Sequence, residues 1–312
     1  MSDPIRLGTR ASPLALAQAR LVAAALEAVE PGVRLEIVEI RTTGDRRLDA
    51  RLSGAGSGSL PRGLFTKELE EALLDGRADL AVHSLKDLPT DLGAGLVFAA
   101  ALERAPSGDW LLSRDGIRFE DLPAGARIAT SSERRRRMLL WRRPDLEVVE
   151  VRGNLGTRIR KLATEPEWSG MVLAQAGLVR LGWVRAPGRV AAEGFELHAE
   201  DLGGWMVPAA GQGAIGIECR AGDTRIHKLL GRAGHRETFA CVTAERALLH
   251  RVGGGCHQPV GARARVRDGG LELEAVVFPE GDGEPLCGVR VGDPADPEGL
   301  AEALWEQLHE KN

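Results

Sequence analysis

Cys256 stands in the run Gly253-Gly254-Gly255-Cys256-His257-Gln258-Pro259, a setting that buried structural cysteines rarely have. Glycine tolerates positive φ and lets another group approach the backbone closely. Pro259 closes the segment, so the thiol is expected on a loop, open to covalent chemistry. A glycine-rich hairpin that happens to hold a cysteine is the plain alternative. A lone cysteine near a histidine becomes a candidate nucleophile only where other chemistry converges on it. Asp87 is the first such convergence, within His83-Ser84-Leu85-Lys86-Asp87-Leu88-Pro89. A carboxylate among cations stays ionised, which suits it to stabilise a positive intermediate and to guide protons. Its alternative is an Asx-type turn residue ahead of Pro89.

Arginines supply the second convergence. Thr130-Ser131-Ser132-Glu133-Arg134-Arg135-Arg136-Arg137 puts cations into the first turn of a predicted helix, where the dipole disfavours them. They fit there if an anion docks on backbone N–H groups, hydroxyls and guanidinium forks. Arg134 and Arg135 are expected on the anion side and Arg136 and Arg137 on a solvated face. Arg10 before Ser12-Pro13, Arg152 before Gly153-Asn154, and Arg158 just past Gly156 repeat an arginine near a strand-to-helix turn. Together they predict a pocket for a ligand carrying many carboxylates. His83 is expected to be a satisfied structural group, and His257 to tune the cysteine loop. No metal is expected, because no histidine–carboxylate–cysteine spacing fits one. No Walker or G-x-G-x-x-G motif opens a helix.

The elements that must position these groups follow from periodicity and punctuation. Ser12 can cap a helix with Pro13 in its first turn, and Leu14, Leu21 and Ala25 recur at helical spacing until Pro31-Gly32. A short strand is predicted over Arg34 to Arg41, a glycine- and serine-rich surface loop over Ala50 to Gly63, and a helix over Phe65 to Asp75 with Leu69, Ala72 and Leu73 on one face. Asp79-Leu80-Ala81-Val82 reads as a buried strand feeding the Asp87 loop at its C-terminal end, the edge where open α/β sheets bind ligands. Three further strands repeat the plan: Arg127-Ile128-Ala129, Val148-Val149-Glu150-Val151 and Gly170-Met171-Val172-Leu173. Strands alternating with helices predict parallel sheets. Near the end, Leu271 to Phe278 reads as strand and Pro297 to Leu308 as helix with Leu300, Ala303 and Leu304 inward.

At 312 residues the chain has room for two or three domains. With 43% hydrophobic and 28% charged residues the composition is globular, and no apolar run could span a membrane. A net charge of −4 argues against general nucleic-acid binding. The cations are nevertheless uneven, since lysine occurs only at Lys67, Lys86, Lys161, Lys228 and Lys311 among 41 basic residues. Cys219, Cys241, Cys256 and Cys287 show neither C-x-x-C spacing nor the density of a disulfide scaffold. With no export signal visible at Met1 to Arg6, reduced thiols in the cytoplasm are the expectation.

In order along the chain, several segments resemble the porphobilinogen deaminase (hydroxymethylbilane synthase) family. They are Thr9-Arg10-Ala11-Ser12-Pro13-Leu14-Ala15-Leu16, Leu64-Phe65-Thr66-Lys67-Glu68-Leu69-Glu70, Val82 to Pro89, Thr130-Ser131-Ser132, and Arg152-Gly153-Asn154-Leu155-Gly156-Thr157-Arg158. Pro208-Ala209-Ala210-Gly211-Gln212-Gly213-Ala214, Val242-Thr243-Ala244-Glu245-Arg246-Ala247 and Gly254-Gly255-Cys256 continue the match, which weakens only in the final stretch.

The resemblance implies an α/β fold of three domains: two periplasmic-binding-protein-like lobes plus a small C-terminal α/β domain carrying the cofactor cysteine. The implied bounds are 1–104, rejoined by 209–233, for the first lobe, 105–208 for the second, and 234–312 for the last. It implies that Cys256 holds a dipyrromethane cofactor by a thioether. Four porphobilinogen units would then be added, each with loss of ammonia, before hydrolysis frees linear hydroxymethylbilane. Losing ammonia leaves a cationic, azafulvene-like electrophile that the terminal pyrrole α-carbon attacks. By resemblance Asp87 is the catalytic carboxylate, and Arg10, Arg134, Arg135, Arg152, Arg158 and Arg180 hold acetate and propionate groups. Ser12, Lys86, Thr130, Ser132 and Gln212 would line the same cleft. A monomer is expected, with the small molecule porphobilinogen as partner and neither nucleic acid nor membrane.

Three departures stand out: the long 50–63 stretch without the expected lysines (Arg62 can replace one), Glu133 in place of an apolar residue, and His257-Gln258 after the cysteine. The rival readings are a non-catalytic two-lobed binding protein for an anionic metabolite, and an ordinary cysteine-nucleophile transferase. Cys256 on its glycine loop argues against the first.

Overall fold

The computed structural model of the chain describes residues 3–43, 66–253, 258–281 and 283–310. The expected loop over Ala50 to Gly63, Arg62 within it, the segment Leu64-Phe65, and Gly254 to His257 with Cys256 lie outside the described residues.

The chain opens with Ile5–Thr9 (β1), Pro13–Val29 (α1), Leu35–Glu39 (β2), Lys67–Leu74 (α2), Leu80–Ser84 (β3) and Leu96–Ala101 (β4). It continues with Asp109–Ser113 (β5), Arg127–Ala129 (β6), Glu133–Arg142 (α3), Glu147–Val149 (β7), Leu155–Thr164 (α4), Trp168–Ala174 (β8) and Gln175–Arg180 (α5). Val184–Ala186 (β9), Arg189–Ala192 (β10) and Phe195–Asp201 (β11) complete that group. Then come Ile215–Arg220 (β12), Thr224–Ala233 (α6), Arg236–Arg251 (α7), Val260–Arg267 (β13), Gly270–Val277 (β14), Leu286–Gly292 (β15) and Pro297–Glu310 (α8).

Local chemistry explains the elements nearest the strand ends. The Ser12 hydroxyl accepts from the Ala15 N–H at 3.3 Å, satisfying a donor that the start of α1 would otherwise orphan, and Pro13 sits where no N–H is needed. The inward face of α1 is Ala15, Gln18, Ala19, Val22 and Leu26. This corrects the expected stripe, because Leu21 is 47% exposed and Leu14 and Ala25 are only half-buried. Helix α2 buries Leu69, Ala72 and Leu73, as its spacing predicts. Each fully buried leucine contributes about 1.5–3 kcal/mol.

Among the described residues the strands form three sheets, ordered β2-β1-β3-β12-β4, β7-β6-β8-β5-β11-β10-β9 and β13-β14-β15. The expected parallel sheets are only partly found. β1 runs parallel to β2 and β3, but β12 is antiparallel to both β3 and β4. Likewise β6 is parallel to β7 and β8, whereas β5 is antiparallel to β8 and β11. The reason is connectivity: the chain leaves the first sheet after β4, builds the second, and returns through β12. A buried strand is a near-continuous apolar run whichever way it points.

The outgoing and returning connections lie side by side, with Leu102 N–H donating to Ile215 O at 3.3 Å and Ala105 N–H to Gly213 O at 3.1 Å. Gly211 and Gly213 turn here at φ +72° and +85°. A Cβ at Gly211 would meet the backbone N of Lys86 at 3.2 Å, and one at Gly213 would collide with Ala105 O. Both positions therefore require glycine.

Helices α7 and α8 cover the third sheet, with Ala244, Leu248, Leu300, Ala301, Leu304 and Leu308 in one cluster. Ala301, and not the expected Ala303, is the buried alanine of α8. Glu245 of α7 ties this layer to the crossing. Its carboxylate takes both terminal Arg104 guanidinium nitrogens (2.7 and 3.0 Å) and the N–H groups of Gly211 and Ala264 (2.7 Å each).

Candidate active site

Parallel pairing of β1 with β3 puts their C-terminal ends together. The cleft there is lined by Arg10 and Ser12 beyond β1 and by His83, Ser84 and Asp87 at the end of β3. Residues Leu85–Asp87 form one 3₁₀ turn, closed by the Leu88 N–H on Leu85 O at 3.1 Å. The Asp87 side chain is exposed. His83 pairs with the buried Glu218 at 3.0 Å, a structural role as its apolar setting suggests. Gln18, which the sequence reading did not single out, lies buried in α1 and bonds to Ser84 at 2.9 Å.

The second sheet delivers the arginines. Ser132 caps α3 by accepting from Arg135 N–H at 3.4 Å, and the buried Thr130 hydroxyl accepts from Ser132 N–H at 3.2 Å. Arg134 and Arg135 are buried and share one carboxylate that the sequence reading missed, Asp109 at the start of β5. Arg134 Nη2 reaches Asp109 Oδ2 at 2.7 Å, while Arg135 Nη2 and Nε reach Oδ1 at 2.7 and 3.1 Å. Burial alone would raise the Asp109 carboxyl, but the two guanidiniums more than offset it and hold it well below the usual carboxylate range. Gln212 Nε2 donates to the same oxygen at 2.9 Å and accepts from Lys86 Nζ at 3.4 Å on its own Oε1. A polar chain thus runs from the Asp87 turn across the crossing to α3.

Other expected cations are placed unevenly. Arg158 Nε donates to Gly153 O at 2.9 Å, and Arg180 Nη2 to Gly213 O at 2.6 Å. Both guanidiniums are brought down to about 10, Arg180 by desolvation and Arg158 by desolvation first and then by Arg135, with Asp87 opposing. Arg152 turns to Glu150 at 2.7 Å. Arg136 is exposed, as expected, and pairs with Glu133. Arg137 departs from the expected solvated face, since it is half-buried, pairs with Glu133 at 3.3 Å and donates to Pro279 O at 3.2 Å. Glu133 therefore serves this outer pair of arginines.

Lys86 concentrates the electrostatics. Its ammonium is pushed down to about 8, first by desolvation and then by Arg135, with Asp87 and Asp109 opposing. Arg10 lines the Asp87 cleft, Lys86 and Arg158 feel the Asp87 charge, and Arg134 and Arg135 share Asp109, so cations outnumber carboxylates among these named groups. An anion entering here would relieve the excess, so the donor set fits a ligand with several carboxylates. Among the described residues no group of histidine, cysteine and carboxylate side chains could hold a metal ion.

Sequence comparison matches this architecture to two described families. Porphobilinogen deaminase, dipyromethane cofactor binding domain, covers residues 5–228, and the porphobilinogen deaminase C-terminal domain covers residues 239–309. The chain belongs to the porphobilinogen deaminase family. It is 49% identical over 312 residues to the porphobilinogen deaminase of Desulforudis audaxviator, covering 99% of this chain and 96% of that one. The corresponding protein of Pelotomaculum thermopropionicum is 45% identical (99% and 95% covered), and that of Roseiflexus castenholzii 42% (99% and 96% covered). As a porphobilinogen deaminase family member the chain has a mixed α/β fold whose first 228 residues include the dipyrromethane-binding region, and the cation-rich cleft lies within that region.

Proposed function

We propose that the chain condenses four porphobilinogen units, with loss of ammonia at each, onto a dipyrromethane primer carried by Cys256, and then releases hydroxymethylbilane. The observation that carries this is the exposed Asp87 carboxylate on a strand-end turn beside Lys86 and Arg158, two cations whose charge it supports. When bound, the dipyrromethane supplies a nucleophilic pyrrole carbon and carboxylates for the cations to grip. Asp87 would accept from pyrrole N–H groups and stabilise the positive charge left as ammonia departs. Lys86, Arg10, Arg134, Arg135, Arg152, Arg158 and Arg180 hold carboxylates; Asp109 keeps Arg134 and Arg135 in place; Ser12, Thr130, Ser132 and Gln212 orient these groups through their hydrogen bonds. Lobes of 1–104 with 209–233 and of 105–208 would close on the growing chain, while 234–312 carries Cys256. A cytoplasmic monomer suits the free thiols of Cys219, Cys241 and Cys287, and no described helix is long and apolar enough to cross a membrane.

Intact mass spectrometry tests the reading. Active protein should weigh more than its sequence by two linked pyrrole units, and Cys256→Ser should lack the increment. A bare-sequence mass in active protein would refute covalent priming. A bare mass with tight binding of a polycarboxylate and no turnover would favour a binding protein.

Lys86 adds a pH prediction. In the chain without cofactor its ammonium, near 8, is cationic below that pH and neutral above it. Cofactor loading of bare chain should therefore slow as pH rises past about 8, and Lys86→Arg should remove that limb because guanidinium does not titrate there. Once loaded, the bound carboxylates favour the ammonium, so the Lys86 titration should move to higher pH. Loading rates across pH 6–10, followed by mass, give the answer; an identical limb in Lys86→Arg would exclude Lys86 as its source.

A further inference from the structure

Helix α7 sends two neighbouring charged side chains to two different places. Glu245 binds Arg104 and the crossing, as described above. Arg246 instead donates to the carbonyls of Leu88 at 2.8 Å and Pro89 at 2.6 Å, the two residues directly after Asp87. The Arg246 residue is 9% exposed, and its guanidinium carbon lies 5.5 Å from the centroid of the Phe98 ring, which stacks on Phe239 of α7 itself at 4.9 Å. Burial between these contacts leaves the fork little rotational freedom. A planar guanidinium bonding two successive carbonyls fixes both position and orientation, which a single ammonium does not. Beyond Arg251 the chain continues through Gly253 (φ +103°) toward Cys256.

We propose that Arg246 is a positioning residue for the condensation: it fixes the Asp87 turn against the helix that leads to the cysteine. The proposal rests on the reading of Asp87 and Cys256 given above. The same carboxylate must serve each addition while the chain lengthens, so its place relative to the anchor has to stay constant. Misplacing a reacting group by about 1 Å can cost on the order of a hundredfold in rate. Glu245 alone does not hold the turn, because its contacts are to Arg104, Gly211 and Ala264.

The test uses the full chain as R246M, R246K, D87N and the double variant R246M/D87N, each checked by intact mass for cofactor and assayed for single-turnover addition of each pyrrole. R246M should carry the cofactor, keep KM within about twofold, and slow every addition by roughly tenfold or more. R246K, with charge but no fork, should fall between R246M and wild type. In the D87N background R246M should add no further slowing, because a positioning effect exerted through Asp87 vanishes with it. A loaded R246M at the wild-type rate, or full additivity with D87N, overturns the proposal. If R246M does not fold, R246K decides alone, and a wild-type rate there overturns the role of the fork. A D87N chain as fast as wild type removes the catalytic reading and this proposal together, whereas slow D87N with additive R246M removes the proposal only.

Discussion

Asp87→Asn is expected to slow product formation by about a hundredfold or more while leaving the fold intact. The substitution keeps the side chain's shape, and the turn it sits on is held by backbone contacts, from Leu88 N–H to Leu85 O and from Leu85 N–H to Ala214 O. What disappears is a negative charge at the point where the leaving ammonia generates a positive one. The loss spreads to the neighbours, since Asp87 supports the charge of both Lys86 and Arg158. Without it the Lys86 ammonium should fall below about 8, so the alkaline limb of cofactor loading should move to lower pH. Steady-state rates and loading profiles of the variant, with intact mass to confirm its cofactor, measure both effects. Near-normal product formation would show that Asp87 is only a turn residue.

Much of the site could be read because its residues sit on local signals. Ser12 and Ser132 cap helices in sequence contexts that announce a cap, and the apolar run before His83 marks the strand that aims Asp87. The face of α1 could not be read, because in an alanine-rich helix nearly every position is apolar and the 3.6-residue period loses contrast. Strand direction was hidden for a related reason: β5 and β12 are buried along nearly their whole length, so no alternation marks their sense, which is set by where the chain crosses between sheets. Asp109 was invisible because its partners lie 25 and 26 residues on, and an aspartate before an apolar strand carries no mark of a buried ion pair. Arg137 was misplaced for want of the same long-range information, namely the Pro279 carbonyl beside it.

Asp109→Asn should be the most destabilising single change at the site. Asp109 is wholly buried and accepts three guanidinium hydrogen bonds and one from Gln212. Asparagine keeps the volume but removes the charge, leaving Arg134 and Arg135 side by side without the carboxylate they share, and it turns an NH2 donor toward groups that only donate. Removing one partner of a buried pair costs about 3–5 kcal/mol, because the remaining charge is stranded away from water. For a unit of this size that corresponds to a melting point lower by on the order of 10 °C. The pH signature has a definite sign. Asp109 is held below its unfolded pKa, so its contribution is fully present above about pH 4 and is surrendered as pH falls through the folded value. Asp109→Asn should therefore show its deficit across the neutral range, with the gap from wild type closing only in strong acid. Arg134 feels burial already, its guanidinium lowered despite Asp109, so the variant should also misplace the arginine pair and fail to load cofactor. Arg136→Leu, on the exposed face of the same helix turn, is the control and should load normally. Thermal melts at pH 4 and 7, with intact mass for cofactor, separate the outcomes. A melting point within about 2 °C of wild type, less than the shift for 1 kcal/mol, would mean that the two arginines are held by their carbonyl contacts to Val207 and Val172 and not by Asp109.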